Sequence, residues 1–191
     1  RQEKNAKKLI EESEVHMGRT YRYFIWDDDV SLKINDKNIY AIDPLYHRTD
    51  KTKFDNDPKS ELAEEIIFNY PVSKNDGRDD LPDSSEIKIK MSLLPESFRP
   101  EQGAANRNSN IERHVHQNEG VSILRDRREV FYGHLHYWSS AGKGWPRWEE
   151  KDRWWGGEIH FTPVHDHSFD VKNIKRGAQP RPELRQMLKD Q

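Results

Sequence analysis

The strongest constraint on the fold is a set of short runs in which apolar and polar side chains alternate. In residues 86–94, isoleucine and methionine alternate with lysine and serine. Successive side chains of a strand point to opposite faces of a sheet, so this period of two is typical of a half-buried strand. The β-prone run at residues 65–70 is predicted to pair with it across the polar loop 73–85.

The last third of the chain contains the clearest elements. Residues 120–124 and 129–132 predict a hairpin that turns at residues 126–127, and residues 155–162 predict a further strand. Residues 182–188 predict a terminal helix, because proline stands in the first turn and the leucines and methionine fall on one face. Together these elements predict an α/β (α+β) fold with a mixed, mainly antiparallel sheet and a few helices.

The N-terminal part is predicted to begin with an exposed helix and to continue as strands. Residues 1–17 are rich in Lys, Glu and Ala, which favours a helix, and Gly18 is expected to end it. Alternation at residues 21–25 and 30–34 predicts two strands. After a polar turn, residues 39–42 predict a third.

The chain is predicted to form one domain with a helical lead-in. The lead-in covers residues 1–17 and the domain covers residues 18–191. The irregular parts of the domain are polar loops near residues 47–60, 73–85 and 100–118 and a tryptophan-rich insertion at residues 139–153. Within the third loop, residues 111–115 are expected to form either irregular loop or a short helix.

Composition limits the classes of function. Hydrophobic residues make up 32% of the chain and charged residues 35%, so the core is expected to be small. The formal net charge of −2 gives no overall field that would attract nucleic acid or a membrane. No apolar run is long enough to span a bilayer and no signal-peptide core is present, so a cytoplasmic location and no membrane partner are expected. Because the chain begins at Arg1, we expect it to be either a piece of a longer protein or a processed chain.

Three His-x-His pairs raise the alternative of a metal-dependent hydrolase. On a strand, both histidines of such a pair point to the same face, where they could ligate zinc. The pairs are His114 and His116, His134 and His136, and His165 and His167. A catalytic zinc site usually adds a carboxylate or a third histidine, and Asp166 stands between the members of one pair. Half-exposed histidines near strand ends are the favoured interpretation, and no metal ligand is assigned.

Aromatic residues interleaved with cations raise a second alternative, a nucleic-acid-binding module. The stretch runs from Tyr137 to Trp154 and includes Trp148 and Arg153. Aromatic rings can stack on bases while cations neutralise phosphates. Acidic residues dilute the charge of the stretch, so an aromatic cluster that fastens the insertion to the sheet is the favoured interpretation.

Complete motifs for nucleotide binding or nucleophilic catalysis are missing from the sequence. Gly142-Lys143-Gly144 lacks the upstream glycine and the hydroxyl residue of a Walker loop. Glu65 and Asn69 have the spacing of a general base and a magnesium ligand on a helix, but they lie in a β-prone run. No serine stands in a Gly-x-Ser-x-Gly elbow.

Four segments resemble a known family. They are residues 18–25, 34–44, 120–129 and 155–175. Their sequences are similar to the transducer domain of a GHKL-type ATPase, the superfamily that contains gyrase, the ninety-kilodalton heat-shock chaperone, histidine kinases and MutL. MORC-like proteins and their bacterial relatives are the members that the chain resembles most. The resemblance implies a split β-α-β sheet.

The resemblance also implies a role for a loop lysine. In such ATPases an amino-terminal domain binds ATP, and the transducer domain supplies a lysine that reaches the γ-phosphate. By resemblance that residue is Lys175, with Lys172 as a competing candidate and Asn173 in the same nucleotide-binding loop. Arg125 and Arg128 also match the pattern and are expected to hold the hairpin.

The resemblance sets expectations for cofactors and partners. The sequence contains neither the Glu-x-x-x-Asn helix nor the glycine-rich ATP lid of the family. The chain alone is therefore not expected to hydrolyse ATP or to hold a cofactor. ATP and Mg²⁺ are expected in a full-length parent that is an ATP hydrolase. The implied partners are an upstream ATP-binding domain of the same chain and, as a candidate assembly, a second copy in a homodimer.

Overall fold

A computed structural model describes residues 2–74, 80–99, 107–134, 149–171 and 177–190. These residues form four α-helices and eight strands, and most strand pairs are antiparallel, which confirms the predicted α+β class. The helices are α1 (Gln2–Thr20), α2 (Arg22–Asp27), α3 (Asn108–Glu112) and α4 (Pro182–Asp190). The strands are β1 (Lys33–Ile34), β2 (Lys37–Asn38), β3 (Glu61–Leu62), β4 (Ile66–Pro71), β5 (Ser84–Leu93), β6 (Val121–Arg125), β7 (Arg128–Gly133) and β8 (Trp155–Phe161).

The main sheet has the order β3-β5-β8-β6-β7. Strands β3 and β4 both pair with the side of β5 that faces away from β8, so both lie at one edge of the sheet. The predicted pairing of β4 with β5 is confirmed, with Ile66 opposite Ile89. The predicted hairpin of β6 and β7 is confirmed as well. Its turn residues Asp126 and Arg127 have φ of 47° and 68°, the left-handed values that tight hairpin turns need. The central strands β6 and β8 run parallel, side by side.

The main apolar core lies on one face of the sheet, against α4 and the segment that precedes it. Strand residues at every second position meet this face, and the predicted terminal helix contributes Leu184 and Leu188. Phe169, which is fully buried, stacks on Phe161 with 3.9 Å between the ring centroids. The core residues are Ile87, Val121, Ile123, Val130, Ile159, Phe161, Phe169, Ala178, Leu184 and Leu188.

The prediction of a strand at residues 21–25 was wrong, because this stretch forms α2. Arg22, Ile25 and Trp26 are its buried residues, and their spacing of three and four positions is that of a helix face. Packing on the sheet therefore overrides the period-two alternation of the aromatic residues.

Gly18 does not end α1, which continues through it to Thr20. A Cβ atom at Gly18 would lie 2.4 Å from the backbone oxygen of Tyr40, so glycine is needed here for close approach of two chain segments. The backbone oxygen of Gly18 also accepts a hydrogen bond from the N–H of Ile42 at 3.1 Å.

The strands predicted at residues 30–34 and 39–42 are mostly absent from the structure. Only Lys33–Ile34 of the first run forms a strand, in a hairpin with β2. Residues 39–42 form no strand, because their N–H groups bond elsewhere: that of Ala41 donates to the carbonyl of Lys51, and that of Ile42 donates to α1.

Parts of the sequence predictions concern residues beyond the described ranges. They include residues 139–148 of the tryptophan-rich insertion and part of the connection from β7 to β8. The split β-α-β arrangement and the division into lead-in and domain therefore remain predictions. Within the described residues, no helix combines the length and the apolar character needed to cross a bilayer.

Matched isoleucine substitutions on neighbouring strands test where the core lies. Ile87 on β5 is 0% exposed and Ile67 on β4 is 49% exposed. Ile87→Ala is expected to lower the free energy of unfolding by about 2–5 kcal/mol, because it leaves a cavity in a packed core. Ile67→Ala is expected to change it by only about 0.5 kcal/mol. Urea unfolding of both variants measures the difference, and equal losses would contradict the assignment of the core face.

Candidate functional site

The sheet face opposite the apolar core carries a buried ionic network beneath α1 and α2. Arg22, at the start of α2, is fully buried and donates to side chains from three strands. Its Nη2 lies 2.6 Å from Oε1 of Glu158 and 2.9 Å from Oγ of Ser122, and its Nη1 lies 3.1 Å from Oε2 of Glu129. Nη1 also donates to the backbone oxygen of Arg19 at 2.6 Å. The guanidinium is thus surrounded by acceptors, as a buried cation requires.

Strand register brings these acceptors together. Ser122 on β6 and Glu158 on β8 are partners in the parallel ladder, so their side chains project from the same face. Glu129 comes from β7, and its Oε2 also accepts a hydrogen bond from the Ser122 hydroxyl. Each of three neighbouring strands therefore places one polar group under Arg22.

The second oxygen of Glu158 is also satisfied. Its Oε2 accepts from the hydroxyl of Tyr23 at 2.6 Å and lies 2.8 Å from Nε2 of His160. Burial alone would raise the pKa of Glu158, but the Arg22 charge and the bonds from His160 and Tyr23 outweigh it and hold that pKa well below its usual range. Burial, together with the neighbouring Glu158 charge, raises the pKa of Tyr23, which stays a neutral donor.

Arg19 extends the network to the last turn of α1. Its Nε lies 2.8 Å from Oε1 of Glu129, and its Nη1 lies 3.3 Å from Oδ1 of Asn118. Its guanidinium carbon lies 3.8 Å from the ring centroid of Tyr132, a cation–π distance. Two arginines and two glutamates balance each other here. Because Arg22 and Glu158 are fully buried and bonded to each other, the network fixes the helices on the sheet and is closed to ligands.

A second polar arrangement lies where the parallel strands β6 and β8 end. The last residues of the two strands, Arg125 and Phe161, are partners in the ladder. Arg125 makes two bonds to Asp166 in the segment after β8, with Nε to Oδ1 at 2.6 Å and Nη2 to Oδ2 at 2.8 Å. A paired fork of this kind fixes position as well as charge. Arg125 therefore ties the end of β6 to residues 162–171.

Backbone bonds fix the rest of this segment. The N–H of Val171 donates to the oxygen of Asp166 at 2.9 Å, and the oxygen of Phe169 accepts from the N–H of Gln179 at 2.7 Å. His165 is fully buried, with Nε2 3.1 Å from the backbone oxygen of Ser85 on β5. Residues 162–171 are thus held to the sheet at several points.

The residues that the resemblance assigns to nucleotide, Lys172, Asn173 and Lys175, lie outside the described residues. Both flanks of the segment are described. Val171 stands before it, and Gly177, whose N–H donates to the oxygen of Val130 on β7 at 2.8 Å, stands after it. The segment 172–176 therefore begins and ends at residues bonded to the fold.

Arg128, the other arginine of the sequence pattern, lies with its guanidinium carbon 5.5 Å from the ring centroid of Tyr21. This contact connects β7 to the junction of α1 and α2. Together with the Arg125 pair, it places both arginines in contacts within the fold.

The histidine pairs do not form a metal centre in the part of the chain that the structure describes, where no three His, Asp or Glu residues are placed to hold an ion. Nδ1 of His116 lies 2.7 Å from Oε1 of Glu119, and His165 is buried against β5. His136 lies outside the described residues.

The described end of the aromatic stretch packs into the fold. Nε of Arg153 lies 2.9 Å from Oε1 of Glu119, and both side chains are largely buried. Trp154 packs against the cluster of Leu94, Phe98 and Val115. The other aromatic and basic residues of the stretch, Tyr137, Trp138, Trp145, Arg147 and Trp148, lie outside the described residues.

Comparison of this chain with protein-family models, with curated proteins and with solved structures found no match. The function proposed below therefore rests on the sequence resemblance and on the geometry of the described residues.

Removal of the buried guanidinium tests the ionic network. Arg22→Leu leaves Glu129 and Glu158 buried without their cation and is expected to lower the free energy of unfolding by about 3–5 kcal/mol. Arg127→Leu is the matched control, because Arg127 pairs with Asp28 on the surface, and it should leave the unfolding midpoint nearly unchanged. Denaturant unfolding at about pH 7 measures both. A loss no larger than that of the control would contradict the network's role.

The same variant has a characteristic pH dependence. In the unsubstituted chain the lowered pKa of Glu158 contributes stability that is present above its unfolded value of about 4.3 and is lost as pH falls through the folded value. In Arg22→Leu the buried carboxyl lacks its cation, so its pKa should rise. Lowering the pH from about 7 to about 5 should then shrink the stability difference between the two proteins. A difference that grows over this range would contradict the assignment.

Proposed function

We propose that this chain is the transducer domain of a GHKL-type ATPase, related to MORC-like proteins and their bacterial relatives. In this role Lys175 contacts the γ-phosphate of ATP held by an upstream domain of the same protein, and the domain converts that contact into movement. The observation that carries the proposal is the anchoring of both flanks of segment 172–176: Val171 bonds to Asp166 in the segment after β8, and Gly177 bonds to Val130 of β7.

Anchored flanks suit a residue that must report on a ligand bound elsewhere. Ordering a free loop around a phosphate costs conformational entropy, whereas a short segment between fixed ends loses less. Lysine suits this position because its ammonium is a compact charge on a flexible stem and binds phosphate as a point charge. The Arg125–Asp166 pair and the Phe169 stack supply the rigid base on one side of the segment.

The proposed contact links the position of the domain to the nucleotide state. The γ-phosphate is present in ATP and absent in ADP, so a lysine that binds it favours one arrangement of the two domains only while ATP is bound. The upstream domain supplies the ATP and Mg²⁺ site, and Lys172 and Asn173 are further candidates for nucleotide contact. We place the parent protein in the cytoplasm, with dimer closure as the coupled motion.

The test uses the full-length protein that contains this chain. Lys175→Ala is expected to lower kcat/KM for ATP hydrolysis by about tenfold to a hundredfold, the value of a hydrogen bond to a charged group. The affinity for ADP should change little, because ADP lacks the contacted phosphate. Steady-state kinetics and calorimetric titration measure the two quantities.

Lys172→Ala is the matched control from the same segment and should have a smaller effect. If Lys175→Ala leaves kcat/KM and ATP affinity unchanged, Lys175 has no such role. If it weakens ATP and ADP binding equally, the lysine contributes to nucleotide binding in general, which contradicts a γ-phosphate sensor.

A further inference from the structure

We propose that a cavity between α1 and the segment 38–58 binds a small organic cation, an ammonium group carried on an apolar ring. The cavity has a volume of about 270 Å³, and Phe98 and residues 112–114 also line it. The described lining residues carry this inference, which does not depend on the proposed transducer role. A volume near the lower end of the range for ligand sites suits a small ring compound.

The walls of the cavity favour an apolar ring. Val15 of α1 and Ala41 of the opposite segment contribute aliphatic surface, and Phe54 and Phe98 contribute aromatic surface. Ligand sites combine such walls with a few polar groups that orient the bound molecule. An aromatic ring can bury its faces here.

The charges that line the cavity favour a cation. Five carboxylates and three cationic side chains line it. Arg113 makes two bonds to Asp57, at 2.5 and 2.7 Å, and Arg48 pairs outside the cavity with Asp27 and Asp50. Both guanidinium groups are therefore already paired with carboxylates, and neither is available to bind an anionic ligand.

The remaining charges are mainly acidic. Glu14, which is half-buried, and Glu112 line the cavity, and Lys53 is the cation of the lining that remains after the two arginines. Glu11 is exposed and lies 4.0 Å from Lys7, a weak surface pair. His114 adds no cation near neutral pH, since burial and the charge of Lys53 lower its pKa.

Strained backbone at the cavity wall indicates a preformed site. Tyr46 and His114, which both line the cavity, have φ of 54° and 61° in the left-handed region. Such conformations cost about 1–3 kcal/mol each and concentrate at ligand sites. The Tyr46 hydroxyl donates to the backbone oxygen of Arg113 at 3.1 Å and accepts from Asn118 at 3.0 Å, which holds the two strained segments together.

Three probes of the same shape and different charge test the inference: phenethylammonium, neutral 2-phenylethanol and anionic 3-phenylpropionate. Binding is followed by the methyl NMR signals of Val15 and Ala41 during titration of this chain. Phenethylammonium is expected to shift these signals saturably and to bind more tightly than the other two. Glu14→Gln should weaken its binding by about threefold to fivefold, the effect of losing one partly exposed charge.

Glu12→Gln is the matched control, since Glu12 lies on α1, is exposed, and does not line the cavity. Val15→Phe, which fills part of the cavity, should abolish the shifts while the circular dichroism spectrum remains unchanged. The proposal is overturned if the anionic probe binds as well as the cation, if no probe gives a saturable shift at millimolar concentration, or if Glu12→Gln weakens binding as much as Glu14→Gln.

Discussion

The buried guanidinium of Arg22 is the interaction on which the arrangement of helices and sheet depends. An uncompensated charge of this kind would not be tolerated in a protein interior, so Glu158, Glu129 and Ser122 must all reach it. These groups come from the three strands β6, β7 and β8, and the chain must therefore place α2 over their shared face. The opposite face carries the main apolar core, to which α4 contributes Leu184 and Leu188. One sheet thus packs on one side through ion pairs and on the other side through hydrophobic contact.

Strand β7 connects the ionic network to the segment assigned to nucleotide. Glu129 binds Arg19 and Arg22, and the backbone of the next residue, Val130, binds Gly177. Two adjacent residues of β7 therefore hold different parts of the fold. Glu129 holds the two N-terminal helices, and Val130 holds Gly177, which follows the segment 172–176. A transducer needs rigid elements between its sensor and the part that moves. In the proposed role, movement of Gly177 reaches the N-terminal helices through Val130 and Glu129 of β7.

The sequence was sufficient to predict strands β4 to β8 and the terminal helix, but not helix α2 or the position of the N-terminal helices on the sheet. The run that became β5 has the period-two pattern of a half-buried strand, and the runs of β4, β6, β7 and β8 were predicted from β-prone residues and turn positions. The aromatic run at residues 21–25 alternates in the same way, yet it forms α2, because Arg22 must reach partners 107 and 136 positions away. Gly18 was interpreted as a helix end, whereas its purpose is the close approach of Tyr40. These requirements come from distant segments and leave no local pattern.

The same limit applied to the candidate sites. Ser122 and Glu158 are buried polar residues in largely apolar strands, a signal that indicates a buried network only once the partner is known. The cavity is assembled from α1, residues 38–58 and residues near 98 and 112–114, which share no motif. Lys175 was assigned through resemblance alone, and its assignment remains a prediction.

Amide hydrogen exchange of the full-length protein is the most direct test of the coupling between nucleotide and domain. The relevant amides are those of Phe169, Val171 and Gly177, which flank the segment and are hydrogen-bonded to the fold. With a non-hydrolysable ATP analogue they should exchange more slowly than with ADP, and Lys175→Ala should remove the difference. Equal exchange in the two nucleotide states would contradict the transducer role.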